Sequence, residues 1–143
     1  MFQKLINTDN SRSTTIIRIM VGMVFLSEGI QKFIFPAIRG TGRFEKIGLP
    51  SPEFLGTFVG VFEIICGALI LIGLLTRFAT VPTLIIMFVA IATTKVEILT
   101  NDGFWEMMHA SRTDWAMLLG SLFLFIKGGG RYSIDWFILN KKV

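Results

Sequence analysis

One carboxylate in this chain lies where its charge must affect the fold. Glu63 is near the middle of an apolar run, and Gly56, Gly60 and Gly67 share its helical face at about 100° per residue. Glycines let two helices approach closely in lipid, whereas an ionisable group at that depth is costly unless it is paired or neutralised. This spacing predicts a functional, catalytic carboxyl on a packed helix face, with Gly56 and Gly67 in structural roles.

The state of Glu63 depends on which groups reach it. A desolvated carboxyl would hold a proton and act as a proton carrier or hydrogen-bond donor. A carboxyl that Lys32 or Arg18 reaches would instead be a fixed anion. The sequence leaves both alternatives open, and it equally allows Arg18 to contact only a lipid phosphate or a helix end.

Further polar residues are predicted to gather in the outer half of the same helices. Glu28 lies roughly one turn shallower than Glu63, at about 1.5 Å of rise per residue, and is the second candidate catalytic carboxyl. We expect a polar funnel that opens to the periplasm with Glu63 at its floor. The residues predicted to contact a ligand there are Lys32, Arg43, Phe25, Gly60 and Asp114. A purely structural alternative is an i,i+4 ion pair between Glu28 and Lys32.

Long apolar helices must position these residues. The chain has 143 residues, of which 52% are hydrophobic and 17% charged, and its mean hydropathy is +0.67. Soluble domains carry about a quarter charged residues. Four apolar runs are long enough to cross a bilayer, so we predict a single integral membrane domain over residues 1–143. Its fold is predicted to be all-α, a four-helix transmembrane bundle of up-down topology, with spans at about 13–35, 53–75, 78–98 and 113–126.

The composition excludes several kinds of site. Cys66 is the only cysteine and His109 the only histidine, so the chain alone offers no disulfide, dithiol pair, bis-histidine haem or histidine-based metal centre. We therefore expect no metal and no covalently bound cofactor. The net charge of +4 comes from Lys and Arg at helix ends and loops, so nucleic acid is not an expected partner.

The connecting segments carry further expectations. Residues 36–52 are predicted to form a loop with one interfacial turn, in which Arg43 and Phe44 fold back as a lid over the funnel. Residues 99–112 are predicted to be a second loop, with aromatic and Met side chains at headgroup level. The C-terminal tail is predicted to form a short interfacial segment.

Charges near the chain termini predict an anchor and an orientation. Arg131 and Asp135 are expected to pair, or to bridge to Arg77, in a structural role. Eight of the 14 basic residues, Lys4 and Lys142 among them, fall on one side of the predicted spans. The positive-inside rule therefore predicts that both termini are cytoplasmic.

Several short motifs resemble one known family. They are Arg18-Ile-Met-Val-Gly22, Phe25-Leu-Ser-Glu28-Gly29, Gly60-Val-Phe-Glu63, Gly73-Leu-Leu-Thr-Arg77 and Gly128-Gly-Gly-Arg-Tyr-Ser-Ile-Asp135. In this order they resemble the DoxX family of small four-helix bacterial membrane proteins, over nearly the whole chain. The resemblance implies a multi-pass protein of the bacterial cytoplasmic (inner) membrane. It also implies a link to redox systems, because the family name comes from the small subunit of a thiosulfate:quinone oxidoreductase.

Two functions are compatible with these observations. In the first, the chain is a membrane subunit of a redox system that binds a quinone or similar lipophilic molecule and depends on a partner subunit for electrons. Glu63 and Glu28 would then handle protons or hydrogen-bond a carbonyl, and Lys32 would tune their charge. In the second, the chain is a non-enzymatic adaptor or carrier that binds a partner helix or a small solute. The sequence leaves open whether it is an enzyme and whether it forms a homo-oligomer; the lipid bilayer is an expected partner in either case.

Overall fold

The computed structural model describes residues 6–141, and no strand occurs among them. The helices are α1 (Thr14–Ile34), α2 (Pro36–Arg39), α3 (Thr41–Lys46), α4 (Pro52–Ile72), α5 (Thr76–Asn101), α6 (Phe104–Ala110), α7 (Arg112–Lys127) and α8 (Ile134–Asn140). The all-α prediction is therefore confirmed. Lys4 and Lys142, which contribute to the predicted orientation, lie outside the described residues.

The four long helices pack side by side around an apolar core. The most extensive packing is between α1 and α4, followed by α5 with α7, α4 with α5, and α1 with α7. The core residues are Val21, Phe25, Cys66, Ile70, Ala79, Met87, Met117 and Leu124. This order places α1 and α4, the helices that carry the predicted site, directly against each other.

Two of these helices, α4 and α5, are individually long and apolar enough to cross a membrane. A third candidate span exists if α1 is taken together with the segment Pro36–Lys46, which bends away from it by 119°. The remaining long helix, α7, has 16 residues, fewer than the roughly 20 that a span needs. The structure thus describes an apolar helical protein with two or three candidate membrane spans.

Several helix ends differ from the predicted boundaries. α4 ends at Ile72 because Gly73 adopts a left-handed conformation with φ of 70°, and its N–H donates to the carbonyl of Ile70. α5 continues to Asn101, and the short helix α6 follows. Residues 99–112, predicted as a loop, are therefore mostly helical, and Gly103, with φ of 91°, separates the two helices.

The connection between α1 and α4 folds back onto α4, and we call its residues Pro36–Lys46 the strap. It contains two short helices where the sequence predicted one interfacial turn. A Cβ added at Gly56 would lie 2.9 Å from the backbone nitrogen of Thr41. The strap therefore rests directly on the first turns of α4.

Glycines set the spacing between α1 and α4. A Cβ added at Gly67 would lie 2.5 Å from the backbone nitrogen of Leu26, and one added at Gly29 would lie 2.8 Å from the carbonyl oxygen of Gly60. Backbone atoms cannot move aside as the end of a flexible side chain can. The packed helix face that the sequence predicted therefore meets α1 at Gly60 and Gly67 and the strap at Gly56.

Candidate functional site

A buried ion pair occupies the interface between α1 and α4. Lys32 Nζ donates a hydrogen bond to Glu63 Oε2 at 2.6 Å. The two side chains are only 11% and 6% exposed. Of the two alternatives left open by the sequence, the structure shows the one in which Lys32 reaches Glu63.

Helix geometry explains how residues at different depths meet. Lys32 lies in the last turn of α1, whereas Glu63 lies in the middle of α4. The two helices are antiparallel, and helical side chains tilt towards the N-terminus of their own helix. The Lys32 side chain therefore points towards the middle of α1, and the Glu63 side chain points towards the start of α4. Their charged groups meet between the two helices. Gly60 lets α1 approach closely here, because a Cβ added at Gly60 would lie 2.9 Å from Cε2 of Phe33 and 3.4 Å from Cβ of Lys32.

Charges on the rim act on Glu63 without touching it. Glu28 repels and Arg43 attracts the negative charge of the Glu63 carboxylate. Glu28 lies 3.8 Å from Arg39 of the strap, and their side chains are 40% and 46% exposed. The i,i+4 pair between Glu28 and Lys32 is not formed, because Lys32 bonds to Glu63 on the neighbouring helix.

The Glu63 carboxylate is nearly enclosed. Glu63 is 5% exposed, and the Lys32 side chain lies beside it where the sequence predicted an open funnel. Oε1 of Glu63 accepts no hydrogen bond from residues 6–141, while Oε2 accepts from Lys32. Two surface grooves, one on α1 and one at the start of α4, do not include Glu63. In this conformation the carboxylate therefore offers little surface to a ligand.

The other residues predicted to contact a ligand do not all meet at this pair. Phe25 is 2% exposed and belongs to the apolar core. Asp114 forms a different ion pair, with its Oδ2 3.1 Å from Lys95 Nζ. Lys95 also donates to the carbonyl of Ala110 at 3.0 Å. This second pair ties α5 to α7 at the ends predicted to be outer.

A buried cation lies towards the opposite ends of the helices. Arg18 is 4% exposed, and its guanidinium donates to the carbonyls of Gly129 at 2.8 Å and Tyr132 at 2.7 Å. Arg18 therefore holds the turn before α8 against α1, and is not exposed to lipid phosphate. An arginine five residues into an apolar run is itself the sequence signal for such a buried contact.

The Asp135 carboxylate accepts hydrogen bonds from backbone N–H groups at the start of α5. It accepts from Leu75 at 2.8 Å and from Thr76 at 2.9 Å. These N–H groups have no partner within the helix, and a negative charge there also suits the helix dipole. Burial raises the pKa of Asp135, although the Thr76 and Leu75 hydrogen bonds and the charge of Arg18 act in the opposite direction.

Arg77 and Arg131 contact other groups than the predicted ones. Arg77 donates to the carbonyl of Ile126 at 2.6 Å. The Arg131 guanidinium lies 5.8 Å from the centre of the Trp136 ring. The anchor expected around Asp135 therefore uses the backbone N–H groups of Leu75 and Thr76, with the charge of Arg18 also acting on the carboxylate.

The chain is similar to known proteins over most of its length. Residues 13–96 match the DoxX family. The chain belongs to the DoxX family. It is 51% identical over 138 residues to the uncharacterized membrane protein Rv3486 of Mycobacterium tuberculosis, covering 92% of this chain and 85% of that protein.

A second relative comes from Bacillus subtilis (strain 168). It is named "Putative oxidoreductase CatD" and is 30% identical over 130 residues, covering 90% of this chain and 89% of that protein. No solved structure matches the chain. The range that matches the DoxX family contains both Lys32 and Glu63, whereas Asp114 and Asp135 lie beyond it. The protein is thus a DoxX membrane protein, in contact with the lipid bilayer.

The ion pair should respond differently to single and double substitution. Lys32→Met or Glu63→Leu alone leaves one buried charge without a partner and should cost about 3 kcal/mol of unfolding free energy. The double variant removes both charges and should recover most of that loss. Reversible SDS unfolding in mixed micelles measures the effect, with the exposed Lys46→Met and Glu53→Leu as controls. Equal losses in the double and single variants would contradict a direct pair.

Asp135 should stabilise the fold in a pH-dependent way. Asp135→Ala removes both acceptors at the start of α5 and should cost about 1–2 kcal/mol. Asp102→Ala, at an exposed aspartate just after the same helix, should cost little.

Because burial raises the pKa of Asp135 in the folded state, the folded chain binds the proton more tightly than the unfolded chain. The wild type should therefore lose stability relative to Asp135→Asn as the pH rises above about 4, the ordinary value for an aspartate; parallel pH profiles would refute this.

Proposed function

We propose that α1, α4, α5 and α7 all cross the bilayer, forming a four-helix up-down bundle with both termini in the cytoplasm. The charges within α1 support this, because Lys32 is paired with Glu63 and Arg18 bonds to backbone carbonyls. α7 is about 24 Å long at 1.5 Å per residue, and the preceding helix α6 lies at its outer end. The membrane boundaries would then follow the predicted spans closely, in a single domain of the bacterial inner membrane.

Labelling of single cysteines tests this topology. In a Cys66→Ala background, cysteines at Glu45 and Glu106 should react with a membrane-impermeant maleimide added to intact, outer-membrane-permeabilised cells. A cysteine at Asn140 should react only after the inner membrane is opened. All three positions are exposed. Reaction of Glu45→Cys and Glu106→Cys from opposite sides would show that α4 or α5 does not cross as proposed.

We further propose that the protein is a membrane subunit of a redox system that binds a quinone or a similar lipophilic molecule beside Glu63. The observation that carries this proposal is the buried Lys32–Glu63 pair, in which Oε1 of the carboxylate has no hydrogen-bond partner among residues 6–141. An ionisable group that is kept at this depth favours a function over a purely structural role. The name of the Bacillus subtilis relative, an oxidoreductase, supports a redox role without specifying a reaction.

In this proposal Glu63 handles protons and Lys32 sets the charge around it. Reduction of a quinone to a quinol takes up two electrons and two protons. With one Cys and one His in the chain, a partner subunit would supply both electrons. Glu63, once protonated, would donate a hydrogen bond from Oε1 to a quinone carbonyl and transfer one proton to it. Water at the rim would supply the second proton, and Glu28, exposed there, would return a proton to Glu63.

Access to Glu63 depends on the strap. The Glu28–Arg39 pair holds the strap to α1, but both side chains are well exposed, and such pairs contribute little stability. Arg43 and Phe44, on the strap, would act as the lid that the sequence suggested. Movement of this segment would open a path to the pair without disturbing the glycine contacts deeper between α1 and α4.

Quinone binding provides the direct test. Full-length protein purified with native lipids should retain quinone and should react with an azido-quinone near Glu63. The double variant Lys32→Met/Glu63→Gln keeps the interface uncharged, so its fold should survive, but it should bind about tenfold less quinone. Glu53→Gln, an exposed acid on the same helix, should bind as the wild type does.

The same variants distinguish the alternative function. If the double variant keeps quinone binding and quinone-linked respiration but no longer co-purifies with a partner protein, the chain is an adaptor or carrier. If none of these properties changes in a folded double variant, the pair has no role in either function. Size-exclusion chromatography of each variant confirms that the comparison is between folded proteins.

A further inference from the structure

A shallow, open groove lies on one face of α1. It has a volume of about 300 Å³ and is lined by Met23, Leu26, Ser27, Ile30 and Gln31. At about 100° per residue, these positions share one helical face, roughly opposite the face that carries Lys32 and the packed glycines. In a membrane protein, this face meets lipid.

The groove changes character along its length. Met23 lies at the apolar end and Gln31 at the end near the strap. Gln31 Nε2 donates to Ser27 Oγ at 2.8 Å, and Arg39 of the strap donates to Gln31 Oε1. A guanidinium therefore lies beside the polar end of this apolar surface.

Arg39 has capacity for a stronger acceptor than it now has. Its side chain is 46% exposed, and its distance of 3.8 Å to Glu28 is longer than a hydrogen bond. A guanidinium has five N–H donors in a planar fork. Phosphate oxygens match that fork and form charge-assisted bonds at shorter distances.

The strap has the features of a segment at the level of lipid headgroups. Phe35, directly before it, is 50% exposed and Ile38 is 72% exposed, so both can enter the lipid. Its charged residues are Arg39, Arg43 and Lys46 against Glu45, which leaves three positive charges and one negative. Its bend of 119° turns it away from the direction of α1. Exposed apolar side chains beside basic ones are typical of segments that bind phosphate-bearing membrane surfaces.

We propose that this groove binds one phospholipid of the leaflet on the side of the strap. An acyl chain lies along Met23, Leu26 and Ile30, and the phosphate bonds to Arg39. The phosphate replaces Glu28 as the acceptor next to the guanidinium. This site is separate from the Lys32–Glu63 pair and does not depend on quinone binding there.

Native mass spectrometry of the full-length protein tests the proposal. Delipidated protein is incubated with phosphatidylglycerol, or with diacylglycerol, which has the same acyl chains but no phosphate. The wild type should retain one phosphatidylglycerol under conditions that strip other lipids, and should not retain diacylglycerol. Arg39→Gln should weaken retention about tenfold, as expected for loss of one charge-assisted hydrogen bond, whereas Arg39→Lys should keep part of it.

Matched variants separate this site from ordinary annular lipid. Arg112→Gln alters an exposed arginine outside the groove and should retain lipid as the wild type does. Met23→Trp fills the groove and should abolish retention, whereas Ile65→Trp, at an exposed position on α4, should not. Equal retention of diacylglycerol, equal effects of Arg39→Gln and Arg112→Gln, or equal effects of the two Trp variants would each overturn the proposal.

Discussion

The close approach of α1 and α4 is the constraint on which the other features depend. A buried ion pair is stable in an apolar interior only if its charges meet at short distance with good geometry. The two backbones come close because Gly29, Gly60 and Gly67 place no side chain between them. Within that interface, Lys32 and Glu63 meet at 2.6 Å. The glycines and the ion pair are therefore one structural unit.

The opposite ends of the helices are held by a different set of polar contacts. Arg18 bonds to carbonyls in the turn before α8, and Asp135 accepts from the first N–H groups of α5. Buried polar groups and helix ends need such partners where water cannot supply them. The charged residues inside the protein thus divide into a structural cluster at one end and a buried pair near the middle of α4.

The surroundings of the buried pair determine how it could act. Lys32 covers Glu63, and the strap lies across the start of α4. The rim groups Glu28 and Arg39 are exposed, so their contact is weak and easily exchanged. Under the proposed function, chemistry at Glu63 would depend on movement of the strap, whose Arg39 bonds to Gln31 at the polar end of the groove. Function would then be coupled to the membrane through the strap.

Local sequence patterns were sufficient for the helical class and for the place of Glu63. A helical face depends only on spacing of 3 or 4 residues, so Gly56, Gly60 and Gly67 indicated a packed interface before any partner helix was known. The long apolar runs indicated a membrane protein in the same way. The motifs from Arg18 to Asp135 also indicated the DoxX family.

The partners of the charged groups were decided only by tertiary structure. Glu28 and Lys32 are four residues apart, so local spacing favoured a pair between them, yet the approach of α4 brings Glu63 to Lys32 instead. Asp135 bonds to N–H groups 59 and 60 residues away in the chain, and no local pattern contains that information. The sequence by itself determined which residues must be buried and which face they share. Which residue each of them meets follows from how the helices pack, because contacts between distant segments form only in the folded chain.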